Sequence, residues 1–319
     1  MALLSNSKTS FDTSGKTTKE NLGEIISNIS PFETPFMSSI KKIGTSSTKV
    51  EWLKDSLASP VANNAQLEGE VYSATAQSDV TRLNNNTQIS AKSFAVSGTQ
   101  DSVDSAGLAT MSAYLLAKNA KVLKNDIETS IFQNGAKNAG NATTARQSAG
   151  INTWLGTNTS AGTGGGDPSS LDGSATRTDA SSGNLRALTE TLLKAVSKSV
   201  WDSGGSADTI YVGSANKQVI STSFTGGATK QVQTPDKTIV GAVDVYVGDF
   251  STYNVVPARH MRSRDALVID HSLWEMAELR PYKVDELAKT GDNRQYLLTT
   301  EWSLCAKNEA GNGGIYDLS

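Results

Sequence analysis

The chain holds two short strand-like segments that are separated by more than thirty mostly polar residues. Residues 49–54 alternate partly with a period of two, and residues 88–96 alternate weakly, so each segment predicts a strand. Two strands alone are at best marginally stable in water, and a compact domain rarely contains so long a connection without a purpose. The two strands and the long connection between them therefore need another surface to pack against.

Helical periodicity marks three segments in the first half of the chain, after an arm of sixteen residues without any period. Thr17 and Glu20 form a capping-box pattern ahead of an apolar stripe that Pro31 ends. A second, short helix is predicted from Pro35, with two lysines at 41 and 42 in its last turn and a glycine at 44 after it. The longest pattern, at residues 101–134, predicts a strut helix of roughly 50 Å at 1.5 Å per residue. Gly107 within it is a residue that can interrupt the helix or delay its start.

The second half of the chain alternates between irregular, helical and strand patterns. Residues 135–184 are mostly Gly, Ala, Ser, Thr and Asn, which predicts a flexible or partly ordered surface insertion. A helix is predicted from an Asn184 cap to the glycines at 204 and 205. A short apolar strand at 209–212 and a helix from about Ser214 predict a small α/β module. Further strands are predicted at residues 239–247, 253–257, 266–269 and 295–305.

The composition excludes several classes of protein. Hydrophobic residues make up 37% of the chain and the net charge is −3, whereas disorder needs low hydrophobicity with high net charge. The charge also lacks the basic excess of proteins that bind DNA sequence-specifically. Cys305 is the only cysteine, so no intrachain disulfide can form. The sequence shows no secretory signal and no apolar run near the ~20 residues of a membrane span, so we expect no membrane partner.

No motif predicts catalysis. The glycine-rich segment 162–168 lacks the Lys that a phosphate-binding loop requires, and no Gly-x-Ser-x-Gly elbow occurs. The arginine cluster at residues 259–265 is interpreted as a solvated turn or a subunit salt bridge. His260 and His271, with Asp265 and Asp270, lack a recognised metal-ligand spacing. We therefore predict no catalytic residues, no cofactor, no metal and no enzymatic activity.

The predicted elements follow one another in a definite order: an arm, a long connection between two strands, a strut helix, a small α/β module and closing strands. This order resembles the major capsid protein of tailed bacteriophages with the Hong-Kong-97-type fold. Several local stretches carry the resemblance over roughly residues 11–319: ISPFETPF at 29–36, EWLKDSL at 51–57, RLNNNTQI at 82–89, VSGT at 96–99, KNDIE at 124–128, LRP at 279–281, KTGD at 289–292 and EWSL at 301–304.

The resemblance implies an α+β fold of the Hong-Kong-97 type, with an N-terminal arm, an E-loop hairpin, a spine helix, a peripheral-domain sheet and an α/β axial domain. The implied division is an arm at 1–44, an extended E-loop at 45–100, a peripheral domain with the spine helix and the polar insertion at 101–181, an axial domain at 182–271, and C-terminal strands at 272–319 that return to the peripheral domain.

The resemblance further implies that many copies of the chain form an icosahedral shell around packaged double-stranded DNA, as hexamers and pentamers assembled in the cytoplasm of the host bacterium. The candidate subunit contacts are Phe36, Trp52, Lys54, Arg82, Phe94 and Val96. Possible partners are a separate scaffold, a portal and a decoration protein, while DNA is contacted weakly and non-specifically. Because the similarity begins near residue 11, we expect a separate scaffold or none, and no crosslinking residues can be matched.

Two rival functions stay open from the sequence. A decoration, tail-tube or surface-layer protein would share the low charge and the high Ser and Thr content. A hydrolase would use Arg262, His260 and Asp265. Under the shell hypothesis, deleting residues 1–40 or shortening the loop at 58–80 is expected to block assembly and leave a folded subunit.

Overall fold

The structure is a computed structural model that describes residues 33–69, 71, 79–103, 110–224, 244–289 and 291–319. The helix predicted to begin at Thr17 lies outside the described residues, as does most of the strand predicted at 239–247. The helices are α1 Pro35–Ser39, α2 Gly98–Ser102, α3 Met111–Phe132, α4 Glu190–Asp202 and α5 Ser214–Ser223. The strands are β1 Lys41–Gly44, β2 Lys49–Lys54, β3 Thr81–Asn86, β4 Gln88–Ser97, β5 Thr159–Ser160, β6 Thr209–Val212, β7 Val245–Val247, β8 Thr252–Pro257, β9 Ala266–Ile269, β10 Trp274–Leu287, β11 Asn293–Ala306 and β12 Gly313–Ile315.

A four-stranded sheet in the order β1-β10-β11-β4 lies beside the longest helix. Strands β10 and β11, of 14 residues each, form an antiparallel hairpin, and β4 pairs antiparallel to β11. Helix α3 packs on one face of this sheet, where Leu123, Ile127 and Ile131 join one apolar core with the sheet residues Trp302 and Leu304. The spine helix and the closing strand at 295–305 are therefore found where the sequence predicted them.

Helix α3 is shorter than the predicted strut. It has 22 residues, or about 33 Å at 1.5 Å per residue, and begins after Thr110, whose side chain accepts a hydrogen bond from the Ala113 amide. The short helix α2 precedes it as a separate element, capped by Ser97. The prediction of one continuous helix from residue 101 was wrong because Thr110 offers a stronger start than the apolar period reveals.

A six-stranded sheet in the order β5-β12-β9-β6-β8-β7 forms the second layer with helices α4 and α5. The strand at 209–212 and the helix from Ser214 confirm the predicted α/β module. Helix α4 begins at Glu190 and not after Asn184, because the Thr189 side chain caps it by accepting from the Leu192 amide. The last strand, β12, joins this sheet, so the C-terminal segment contributes to both sheets. The division of the chain into domains stays a prediction.

Residues 41–44 form strand β1 and not the last turn of a helix. The backbone turns extended at Ile40, with φ −85° and ψ 150°, and β1 then pairs in parallel with β10. The predicted helix end was wrong because pairing with β10 offers the backbone groups of this segment more hydrogen bonds than a sixth helical residue would.

The segment at 135–184 is irregular, as predicted, but it is not a surface insertion. Ile151, Trp154 and Leu155 are fully buried in the core that α3 shares with the four-stranded sheet. Arg177 is buried as well, with its guanidinium carbon 3.4 Å from the centre of the Tyr316 ring and an ion pair of 2.8 Å to Asp167. The prediction of a surface insertion was wrong because it rested on the polar composition of the segment. Hydrogen bonds allow these polar residues to be buried, and they leave no apolar period in the sequence.

A buried carboxylate joins helix α3 to helix α1. Glu128 is fully buried, and its two oxygens each accept a backbone N–H, from Phe36 and from Met37, at 2.9 Å. Burial raises the pKa of Glu128 to about 7, against the lowering effect of the two backbone hydrogen bonds. The structure thus links the end of the N-terminal arm to the spine helix through a titratable group.

The stability of the subunit should fall as the pH rises through this pKa. The folded state binds the Glu128 proton more tightly than the unfolded state, whose pKa is 4.5, so the stabilisation is full below pH 4.5 and is lost above about 7. The free energy of unfolding of the wild type should lose up to about 3 kcal/mol over this range relative to Glu128→Gln. Denaturant titrations at several pH values test this, and parallel curves for the two proteins would contradict it.

Candidate assembly surfaces

The predicted E-loop is built on a two-stranded sheet that differs from the predicted one. Strand β2 pairs antiparallel with β3, from Lys49 opposite Asn86 to Lys54 opposite Thr81. Strand β4, the second of the two strands predicted from alternation, pairs instead with β11 in the four-stranded sheet. Strand β3 was not predicted because it is mostly polar, TRLNNN, and shows no alternation that could mark it as a strand.

Beyond this sheet, residues 55–69, 71, 79 and 80, here called the outer loop, have no regular structure and are all exposed. The outer loop carries five large, exposed apolar side chains among small and polar residues: Leu57, Val61, Leu67, Val71 and Val80. Leu57 is 99% exposed and Val71 is 92% exposed. Exposed apolar side chains concentrated on one segment are typical of a surface that another protein covers.

The base of the loop is anchored by a buried amide. Asn85 is fully buried, and its side-chain nitrogen donates to the Leu304 carbonyl at 2.7 Å and to the Ser148 hydroxyl at 3.0 Å. Its side-chain oxygen accepts from the Ala149 amide at 3.0 Å. One side chain therefore connects β3, β11 and the segment after α3, so the loop leaves the subunit in a defined direction.

Replacing Asn85 by Ala should lower the free energy of unfolding by about 2–4 kcal/mol. The change leaves the Ala149 amide and the Leu304 carbonyl buried without their partners, and each such group costs about 1–3 kcal/mol. Asn63→Ala, in the exposed outer loop, is the matched control and should change little. Chemical denaturation measures both, and equal stabilities would show that Asn85 does not anchor the loop.

A charged cluster lies next to Asn85. The buried Glu301 accepts from Thr87 at 2.8 Å, from Arg146 at 2.6 Å and from Arg280 at 2.8 Å. Burial alone would raise the pKa of Glu301, but the hydrogen bonds from Thr87 and Arg280 and the two arginine charges hold it below its ordinary value. The carboxylate is therefore ionised at neutral pH and ties Thr87, between β3 and β4, to Arg280 on β10 and to Arg146 in the segment after α3.

Strand β2 packs on its own subunit through its apolar face. Trp52 donates from Nε1 to the Ala306 carbonyl at 2.8 Å, and its ring centre lies 5.4 Å from that of Trp154. Val50 is buried against Ala277 and Cys305. Cys305 is a free cysteine and is buried.

The six candidate contact residues differ in what they offer to a neighbour. Phe36 and Val96 are buried inside their own subunit, so their side chains have almost no surface to offer. Trp52 and Phe94 are half-buried, Phe94 on the ring of Tyr296 at 5.3 Å. The most accessible of the six is Arg82, whose side chain is 69% exposed and forms an ion pair of 3.6 Å with Glu51. Lys54 forms an ion pair of 3.6 Å with Glu309. The candidate contacts chosen from the sequence did not include the large apolar residues of the outer loop. The sequence signal for them was the presence of isolated apolar residues within a mostly polar stretch.

The arginine cluster at 259–265 forms ion pairs within the subunit. Arg262 pairs with Asp179 and with Asp265 at 3.5 Å, and Arg264 pairs with Asp179 at 3.5 Å. Burial raises the pKa of Asp265 to about 6, against the charge of Arg262. These contacts hold the segment before β9 against residues 177–180, so neither a solvated turn nor a bond between subunits is needed to explain them.

His260 is half-buried in the turn after β8, whereas His271 lies against Tyr211. Nε2 of His271 is 2.7 Å from the Tyr211 hydroxyl, and burial lowers the pKa of His271. In the ranges that the structure describes, no group of three or more His, Cys, Asp or Glu side chains is arranged to hold a metal ion. Across the same ranges, no helix has the length and the apolar character to cross a membrane.

Comparisons with known proteins agree with this architecture. The family model described as SU10 major capsid protein matches residues 4–319. The major capsid protein of Escherichia phage Phieco32 is 33% identical over 128 residues, which are 40% of this chain and 36% of that protein. The chain thus matches little more than a third of the length of this curated relative.

Solved structures share the fold at low sequence identity. The capsid of cyanophage A-1(L) has a TM-score of 0.67 at 12% identity, covering 98% of this chain and 99% of that one. The capsid of a native GTA particle has a TM-score of 0.64 at 12% identity, with the same coverage. The structure of the major capsid and decoration proteins of phage G has a TM-score of 0.53 at 11% identity and covers all of both chains. The predicted α+β fold of the Hong-Kong-97 type is confirmed.

Proposed function

Because the chain belongs to the SU10 major capsid protein family, it is a major capsid protein of the tailed-phage type, and we propose how its copies join in the icosahedral head. It is a structural component of the virion and not an enzyme. The hydrolase alternative is thereby set aside, and two of the residues that suggested it, Arg262 and Asp265, form an ion pair within the subunit.

One observation carries the proposed mode of assembly: an exposed, partly apolar loop stands on a rigid base. Asn85 and Trp52 fix β2 and β3 to the subunit, while the outer loop exposes Leu57, Val61 and Val71. Leaving such side chains in water costs about 25 cal/mol for each Å² of apolar surface, and a neighbouring subunit removes that cost. The outer loop therefore lies across a second copy in the shell.

The remaining partners are proposed at a coarser level. Copies close into hexamers and pentamers, because identical subunits in a closed shell repeat the same few contacts around symmetry axes. A scaffold, a portal and a decoration protein are proposed as accessory partners, and the phage G structure, which holds decoration proteins, supports the last of these. Packaged DNA is contacted weakly, because a chain with a net charge of −3 supplies little neutralisation for phosphates.

Sedimentation velocity of the purified chain tests whether it assembles. Alone or with a phage scaffold protein, the 33.6 kDa chain should leave the monomer boundary and sediment as large particles. A protein that stays monomeric under every assembly condition would contradict the proposal.

A further inference from the structure

Two aromatic side chains are stacked on the surface of the second layer. Trp201, in the last turn of α4, is 57% exposed, and Phe250, in the turn between β7 and β8, is 40% exposed. Their ring centres lie 5.3 Å apart, with the ring planes inclined by 29°. Phe250 thus covers part of the Trp201 ring, and the rest of the ring stays in water. Exposed aromatic surface of this size is typical of a site that another segment covers.

Three exposed aspartates surround this pair: Asp202, Asp208 and Asp249. Two of them are chain neighbours of the aromatic residues. The third, Asp208, lies beside the turn between β7 and β8, because the Ser251 hydroxyl donates to the Ala207 carbonyl at 3.0 Å. The aromatic pair and the three aspartates are here called the Trp201 surface.

The charge of the Trp201 surface is only partly neutralised within the subunit. Asp202 pairs with Lys198 at 2.7 Å. Asp208 lies 3.8 Å from Nδ1 of His271, and burial lowers the pKa of His271, so that ring is neutral at pH 7. Among the described residues, Asp249 forms no ion pair. Such a surface repels nucleic-acid phosphates and anionic lipid headgroups, and it fits a segment that combines lysines with apolar side chains.

The N-terminal segment of the chain has this chemistry. Residues 1–19 contain three lysines, at positions 8, 16 and 19, and a single acidic residue, Asp12. They also carry leucines at positions 3 and 4 and a phenylalanine at position 11. The segment therefore matches the Trp201 surface in charge and in polarity.

The described chain begins next to this surface. Its first residue, Glu33, is three positions before Phe36, whose ring centre lies 6.3 Å from that of His271, the neighbour of Asp208. Lys19 is fourteen positions before Glu33, and these positions span up to about 50 Å when extended or about 20 Å as a helix. A tethered segment also meets its own subunit at an effective concentration on the order of mM. Reach and tethering therefore favour the segment of the same copy over that of a second one.

We propose that residues 1–19 dock on the Trp201 surface of their own copy in the free subunit. The lysines approach the aspartates, and an apolar side chain covers the open part of the Trp201 ring. The docking keeps an exposed aromatic surface covered before assembly, and it does not depend on the proposed mode of assembly. Because the charged groups are exposed, the contact weakens as salt screens them.

Acrylamide quenching of tryptophan fluorescence tests whether the Trp201 surface is covered. Of the five tryptophans, only Trp201 is exposed. In the monomer fraction from gel filtration, deletion of residues 1–19 should raise the quenching constant about 1.5-fold, because the indole ring becomes open to the uncharged quencher. The same deletion in Trp201→Phe is the matched control and should change nothing. No rise, an equal rise in the control, or a rise that depends on protein concentration, which would indicate a second copy, overturns the docking.

Charge reversal tests the pairing itself. Changing the three lysines at 8, 16 and 19 to Glu should raise the quenching constant as far as the deletion does, because like charges then face each other. Asp208→Lys with Asp249→Lys should have the same effect. Joining the two sets of changes should return the quenching constant to near the wild-type value. If the joined variant is quenched as strongly as either parent, the proposed docking is wrong.

Discussion

Replacing residues 58–80 by a short Gly-Ser turn should abolish particle formation and leave the subunit folded. The two ends are close enough to join, because Lys54 and Thr81 lie opposite each other in the antiparallel pair, roughly 5 Å apart. The outer-loop residues removed are exposed, so the two cores of the subunit lose nothing that they bury. What is lost is the surface that reaches a second copy.

Two measurements separate these effects. The thermal midpoint of the shortened protein should stay within a few degrees of that of the wild type, while sedimentation should show no large particles. A Gly-Ser replacement of the same length as residues 58–80 is the matched control for loop length and should also fail to assemble. Normal particles from either protein would show that the loop is dispensable.

Phe36→Ala should have the largest effect on the stability of the subunit, about 3–5 kcal/mol. The Phe36 ring is fully buried, with the ring centres of Phe132, Tyr211 and Trp274 at 5.6, 5.7 and 6.1 Å. Truncation leaves a cavity among rigid aromatic rings that have little room to close it. Because domains are stable by only about 5–15 kcal/mol, a large part of the total is lost.

Chemical denaturation of Phe36→Ala beside Leu57→Ala measures this cost. Leu57 is 99% exposed, so its truncation should change the free energy of unfolding by less than about 0.5 kcal/mol. Similar losses in both variants would contradict the burial of Phe36 in the core.

The position of Phe36 also corrects the expected effect of deleting residues 1–40. That deletion removes Phe36, Met37 and Ile40 from the main core, so the product should fail to fold rather than form a folded subunit. Loss of assembly after it would therefore say nothing about the arm. Deletion of residues 1–32 keeps these side chains and is the variant that tests the arm.

Strong periodic patterns predicted their elements well, and polar or interrupted ones did not. Residues 295–305 alternate clearly and form most of β11. Its partner β10 was missed because Pro281 and many charged residues break the alternation, and the pairing itself is irregular between Glu278 and Lys283. A strand that is bulged around a proline has no simple period to find.

The candidate contact residues stay predictions, and two of them, Phe36 and Val96, are buried in their own subunit. Trp52 and Phe36 are large apolar residues, and the sequence alone could not separate contacts within a subunit from contacts between subunits. The structure assigns Phe36 to its own core and leaves Leu57 and Val71 in water.

Cryo-electron microscopy of the purified wild-type chain under assembly conditions tests the central claim most directly. We expect closed icosahedral shells in which the outer loop of each subunit lies across a neighbouring copy. Tubes, flat sheets, or shells in which the loop contacts only its own subunit would contradict it.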